Sequence, residues 1–236
     1  MTKEFKIIAI IPARGGSKGL PGKNIKVLHN KPLVAWTVAT ALASHSIDDV
    51  IVSTDDPKIA ELALEYGAEV PFIRPVELAS DESSSIDVIE HAINELASCD
   101  RIYDIVVMLE PTSPLREAKD IDNGVNRLIE SGAGSVVSVC KAECTHPVFM
   151  FRKESSDKLI PFTGKQPTNL RRQDIEPLFF LDGTFYISWA NVLKSKHSFY
   201  HDDTVAYELP KWKSLEIDDA DDFIMIEALA RQKGLM

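Results

Sequence analysis

Long apolar runs are missing from this chain, and so is any surplus of positive charge. The longest apolar stretches, such as 7–12 and 105–109, are far too short to span a bilayer, and the opening MTKEFK lacks the apolar region of a secretory leader. These absences set the expectation of a cytoplasmic protein with no membrane partner. Cysteine is scarce: Cys99, Cys140 and Cys144 are the three, an odd number that argues against a disulfide framework in a chain with no export signal. Against 36 Asp and Glu stand 26 Lys and Arg, a formal net charge of -10 at pH 7. A field of that sign repels nucleic acid, which is therefore not expected as a partner. Internal repeats and low-complexity tracts are absent as well. What remains is a chain of 236 residues, long enough to bury one sizeable core.

The patterning within that length is an alternation. Apolar runs at 7–11, 49–53, 70–73, 105–109 and 135–139 read as strands, and helix-period segments fall at 32–43, 57–66, 84–97 and 120–129. This βαβ rhythm predicts an α/β fold built on a mainly parallel sheet covered by helices. Start signals agree: the DDPK at 55–58 supplies a cap and a proline, and Ser83 or Ser84 can cap the helix whose first turn holds Asp87. The rhythm breaks after Cys140. From 141 to 176 the chain is polar and carries Pro147, Pro161 and Pro167, and it reads as a β-rich excursion from one domain spanning 1–236. Val148–Phe151 and 179–187 look like strands that need partners. A strand near 204–209 and an amphipathic helix near 219–232 close the chain.

Glycine and positive charge concentrate in one place. Between residues 7 and 47 there is no Asp or Glu, yet Arg14, Lys18, Lys23, Lys26 and Lys31 are all present. The loop from Pro12 to Asn24 follows the first strand, where open α/β sheets place their ligands. Gly15, Gly16, Gly19 and Gly22 give that loop the freedom to turn N–H groups toward an anion. Neither common phosphate motif fits. Five residues before Gly22 stands Ser17 where a Walker loop needs glycine, Asn24 replaces its Ser or Thr, and the dinucleotide spacing GxGxxG is absent. A solvated loop with turn-forming glycines is the plain alternative. The coincidence of position, glycine and acid-free charge favours a polyanion site, and several spaced cations suit a nucleotide triphosphate better than a single phosphate.

IPARGGSKGLPGKN at 11–24, with RPVELASDESSS at 74–85, EPTSPLR at 110–116, RRQD at 171–174 and LEIDDADDF at 215–223, resembles the acylneuraminate cytidylyltransferases over nearly the whole chain. That resemblance implies a Rossmann-like, three-layer nucleotidyltransferase fold. It implies transfer of CMP from CTP to the anomeric hydroxyl of a nonulosonic, 2-keto sugar acid, with release of pyrophosphate and with Mg²⁺ as cofactor. It also implies a homodimer in which the 141–176 excursion serves dimerisation and the neighbour's sugar pocket. Matched residue by residue, Arg14, Lys18 and Lys23 fall to the CTP phosphates, Gly15, Gly16, Ser17 and Asn24 to the nucleotide, and Arg74 and Ser85 to its cytosine and ribose end. Glu110, Arg172 and Tyr186 fall to the sugar, and Asp218 with Glu216 to the metal. Arg14, Lys18, Lys23 and Asp218 are the expected catalytic set. Chemistry supports part of this independently, because attack at the α-phosphorus builds negative charge that cations must offset, and Mg²⁺ takes hard carboxylate oxygens.

Four positions depart from the family's pattern. Glu110 stands where a glutamine is expected, Phe180 in place of a common arginine, Asp182 in place of a common asparagine, and Glu216 in place of an aspartate. These changes argue for a related acid, of the legionaminic or pseudaminic type or a shorter ulosonic acid, over N-acetylneuraminate. Glu110 is also a candidate base for the sugar hydroxyl. A sugar-1-phosphate nucleotidyltransferase is the nearest alternative, and a catalytically silent nucleotide-binding protein the alternative of another class. Cys140, Cys144 and His146 form a CxxxCxH cluster without a fourth ligand at finger spacing and read as packing and loop residues. In IDDADD, Asp218 is expected at the metal and Asp219, Asp221 and Asp222 at the helix start.

Overall fold

The computed structural model describes residues 5–80, 82–164, 171 and 174–235. Strand β1 (Ile7–Pro12) lies inside the sheet, paired in parallel with β4 (Asp49–Ser53) on one side and β5 (Ile105–Met108) on the other. Its near-continuous apolar run is what a strand covered on both faces requires. Ile7, Ala9 and Ile11 face a cluster holding Val34 and Val38 of α1 (Leu33–Leu42) and Ile121 and Val125 of α4 (Ala118–Ser131). Ile8 and Ile10 face the opposite cluster, built on Ile89, Ala92 and Leu96 of α3 (Ser85–Ala97). The period-two alternation of one strand thus divides the core into two halves and gives three layers.

The six-stranded sheet has the order β10-β6-β9-β5-β1-β4, with β6 at Ser135–Lys141, β9 at Phe179–Trp189 and β10 at Thr204–Glu208. Pairing is parallel except where β9 runs antiparallel between β5 and β6. The carboxyl ends of β1, β4, β5 and β6 therefore share an edge with the start of β9. The expected mainly parallel α/β sheet is what forms. Within β9 the pairing to β6 shifts register between Val137 and Val139, at the sequence Asp182-Gly183-Thr184. Such a bulge bends a strand and re-aims its side chains, often beside an active site.

Helix starts follow local chemistry. Asp56 caps α2 (Pro57–Glu65) by accepting from the N–H of Lys58 at 2.7 Å, and proline occupies the first turn. Ser84 caps α3, accepting from the Asp87 N–H at 3.2 Å. Asp219 and Asp222 form a reciprocal capping box at α6 (Ala220–Lys233). A third apolar cluster joins Phe223 and Ile226 of α6 to Leu20, Leu115 and Ile217. It fastens the glycine-rich loop, the turn after β5 and the segment before α6 to one another.

Two expected strands are absent. At 70–73 the only sheet contact is a bridge between Ile51 and Glu69, because Pro71 has no N–H with which to extend a ladder beside β4. At 148–151 the chain instead forms a 3₁₀ turn over Pro147–Phe149, capped by His146 with proline at its first position. The strand starts later, as β7 (Phe151–Lys153), and pairs antiparallel with β8 (Leu159–Pro161). This hairpin belongs to the 141–176 excursion. Three elements were not anticipated: α5 (Ala190–Lys196), following directly on β9, and the two-residue strands β2 (Val27–Leu28) and β3 (Lys31–Pro32).

Candidate active site

A cavity of about 450 Å³ opens at the carboxyl ends of β1, β4 and β5. Arg14, Ser17, Lys18, Lys23 and Asn24 line one side, and Glu110, Glu216 and Asp218 the other. The glycine-rich loop reaches this position by packing against the backbone of residue 218. A Cβ on Gly19 would collide with the Asp218 carbonyl oxygen, so only glycine permits the approach. Lys23 crosses between the walls, donating from Nζ to the Ile217 carbonyl at 2.7 Å and to Asp218 Oδ1 at 3.3 Å. Asn24 is buried, and its amide donates to the Arg14 carbonyl at 2.9 Å, which pins the loop. The Gly15 N–H donates to Asp55 Oδ1 at 3.0 Å, and Gly15 and Gly16 do not line the cavity, so these glycines shape the loop.

At the far end lie Arg74 and Ser85. Arg74 is buried, donating from Nε to Ser53 Oγ at 3.1 Å and from Nη2 to the Ser53 carbonyl. Burial pulls its pKa down to about 10, so it stays charged at neutral pH. The helix cap falls to Ser84, which leaves Ser85 as the first residue of α3 and a cavity-lining side chain.

The acidic wall is assembled by the bulge in β9. Gly183 has φ +68, a left-handed conformation that favours glycine, and the Glu216 carboxylate occupies the place of its missing side chain. Glu110 Oε2 lies 3.5 Å from that same point. Burial raises the Glu216 carboxyl to about 7, with Glu110, Asp218 and Asp182 pushing the same way and Lys23 opposing. Burial likewise raises Glu110 above the ordinary carboxylate range, while Arg116 and Lys23 pull it back. Asp218 is the exposed member, its side chain 77% accessible.

Asp182 turns away from the site. One oxygen accepts from the Ser138 hydroxyl and, at 3.0 Å, from the Thr184 N–H, and the other accepts from the Ser214 hydroxyl at 2.8 Å. Its place among the sugar-discriminating departures is therefore corrected: these donors hold it in a structural network. Phe180, by contrast, is 41% exposed near the start of β9. Tyr186 is buried beneath the acidic wall against Tyr200, with the two rings 5.8 Å apart and nearly perpendicular. Its hydroxyl is held far above the ordinary tyrosine range by burial, with Glu110 and Glu216 adding to the shift. Arg172 lies outside the described residues.

Gly183, Arg116 and Tyr200 were not picked out from the sequence. Arg116 was visible there only as part of EPTSPLR and Gly183 only as the neighbour of Asp182; no local signal marked Tyr200. Among the described residues no group of three metal-ligating side chains converges, and the CxxxCxH cluster forms none.

The family model described as cytidylyltransferase matches residues 8–230. The chain is 36% identical over 232 residues to a CMP-N,N'-diacetyllegionaminic acid synthase of Legionella pneumophila, covering 95% of this chain and 96% of that one. It is 32% identical to a pseudaminic acid cytidylyltransferase of Campylobacter jejuni, covering 92% and 93% respectively. An N-acylneuraminate cytidylyltransferase of Streptococcus agalactiae is 34% identical over 94% of this chain, which spans 52% of that longer protein. Among solved structures, a CMP:2-keto-3-deoxy-manno-octonic acid synthetase complexed with CTP shares the fold, with a TM-score of 0.71 over 97% of this chain and 99% of that one at 17% identity.

Proposed function

The chain belongs to the cytidylyltransferase family, and from that premise we propose that it transfers CMP from CTP to the anomeric hydroxyl of a nonulosonic acid, releasing pyrophosphate. The observation that carries this reading is the 450 Å³ cavity in which a cationic loop faces three carboxylates. Lys23, Arg14 and Lys18 hold the triphosphate and offset charge as it builds on the phosphates and on departing pyrophosphate. Arg74 and Ser85 line the opposite end, where the nucleoside fits. The sugar acid enters beside Glu110 and above Tyr186 and Tyr200, which orients its anomeric hydroxyl toward the α-phosphorus.

The residues present fit Mg²⁺. Glu216 and Asp218 both line the cavity, and two carboxylates set side by side offer the hard oxygen ligands and negative charge that suit a hard dication. With only two carboxylates on offer, substrate phosphate oxygens and water would complete the shell, as is usual for this ion. When bound, Mg²⁺ supplies Lewis-acid stabilisation of the phosphate oxygens.

For the acceptor, Glu110 and Phe180 favour a legionaminic-type acid over N-acetylneuraminate, and the Legionella relative supports that choice. A homodimer completes the proposal. Leu159, Ile160 and Phe162 of the hairpin segment and Phe179, Phe180 and Leu181 of β9 are each 41–62% exposed. Apolar exposure on that scale suits burial against a second copy. Pyrophosphate release from CTP and Mg²⁺, with and without each acid, tests the reading. Acid-dependent release is expected. Release driven by a sugar 1-phosphate, or no release with any acceptor, would overturn it.

A further inference from the structure

Arg116 is almost completely buried at the end of the turn that follows β5. Its side chain folds back on that turn, donating from Nη2 to the Glu110 carbonyl and to the Ser113 carbonyl, the latter at 3.1 Å. The clamped turn is itself the anchor of the acidic wall. The Thr112 carbonyl accepts from the Ile217 N–H at 2.9 Å, and the Ile217 carbonyl accepts from Lys23 Nζ at 2.7 Å. One continuous path therefore runs from the Arg116 guanidinium through the 110–113 turn to the Glu216–Asp218 segment and on to Lys23.

The charge of Arg116 points the same way. The carboxylates whose charges act on it are Glu110, Asp182, Asp120 and Glu216. Asp182 already accepts from Ser138, Thr184 and Ser214, and Asp120 is paired with Lys213 at 2.7 Å. The two acids left for Arg116 to balance are the two that meet at Gly183. Its Nε and Nη1 are buried and have no hydrogen-bond partner among the described residues, an arrangement that is costly where stability alone is concerned. A buried guanidinium held in this way acts on the site through its frame and its charge.

Building on the cytidylyltransferase reading above, the geometry points to Arg116 as a positioning residue: it fixes Glu110 and the Glu216–Asp218 segment at their reacting distance without touching either substrate. Supporting shells of this kind alter activity by about 10- to 100-fold when removed. Arg116→Met should lower kcat into that range while leaving KM for CTP within about threefold, because the loop and Arg74 are intact. Arg116→Lys should recover part of the loss, since it keeps the charge but its single ammonium does not reproduce the planar fork. Arg101→Met, which removes a guanidinium paired with Glu69 at 2.7 Å and outside the cavity, serves as the control and should keep kcat.

Steady-state kinetics of the full chain, with CTP binding measured separately by calorimetry, decide the matter. A kcat for Arg116→Met within about threefold of the parent, a loss expressed wholly in KM for CTP, or an equal loss in Arg101→Met would overturn the proposal. Failure of both Arg116 variants to fold would also overturn it, making Arg116 a residue of stability alone. If the parent protein makes no CMP-sugar from any acid, the functional reading itself falls, and this inference with it; that outcome is distinct because it needs no variant.

Discussion

In the proposed reading, acceptor choice turns most directly on Glu110. It sits on the acidic wall with a raised carboxyl, and unlike Asp182 it has a face on the cavity. A carboxylate there accepts hydrogen bonds and repels acceptors of its own, whereas an amide would offer both kinds of group. Glu110→Gln is expected to raise the ratio of kcat/KM for N-acetylneuraminate over the legionaminic-type acid by about tenfold. Competition assays with both acids measure this, and an unchanged ratio would remove Glu110 from the discrimination. Retained turnover by the same variant would exclude it as the required base. Arg14, Lys18 and Lys23 stood out in the sequence by their charge in an acid-free stretch and Asp218 by the family resemblance, and the fold brings all four to one cavity. Arg116 and Gly183 were not legible there, since the value of each depends on what folds against it: two carbonyls of the 110–113 turn in one case, the Glu216 carboxylate in the other.

Between elements, two polar contacts set expectations for stability. His197 ends α5 and pairs with two carboxylates of α3, through Nδ1 with Glu90 at 2.9 Å and through Nε2 with Asp87 at 3.3 Å. The hydrogen bond and charge of Glu90, aided by Asp87, raise its pKa. A raised histidine contributes stability that is present below its unfolded pKa, near 6.5, and is lost as pH rises through the higher folded value. His197→Gln should therefore flatten the fall in melting temperature just above pH 6.5, and an unchanged pH profile would dismiss the contact. The second is Lys213, which donates to both oxygens of the buried Asp120 at 2.9 and 2.7 Å and so ties the 210–214 segment to the start of α4. Lys213→Met leaves that carboxylate unpaired and is expected to cost about 3 kcal/mol in urea unfolding. Elements with long apolar runs or caps, such as β1, β4, α2 and α6, were readable from sequence to within a residue or so at most ends. Those that failed did so for stated local reasons: Pro71 interrupts a ladder at 70–73, Pro147 starts a 3₁₀ turn, and α5 is too short for its period to register.

At the scale of the molecule, a mainly parallel sheet brings the ends of β1, β4 and β5 to one edge, and the third apolar cluster fastens three loops there into two facing walls. The sequence rhythm was enough to expect the sheet and the edge. It was not enough to place β9 antiparallel at the centre, because a strand's direction depends on its connection and not on its own pattern. No helix among the described residues is long and apolar enough to cross a membrane. The central claim is that the two walls join CMP to a sugar acid. Phosphorus NMR of the protein with CTP, Mg²⁺ and N,N'-diacetyllegionaminic acid tests it most directly. The account expects the triphosphate signals to give way to pyrophosphate and one phosphodiester in equal amounts; persistence of CTP with that acid and with every other nonulosonic acid would contradict it.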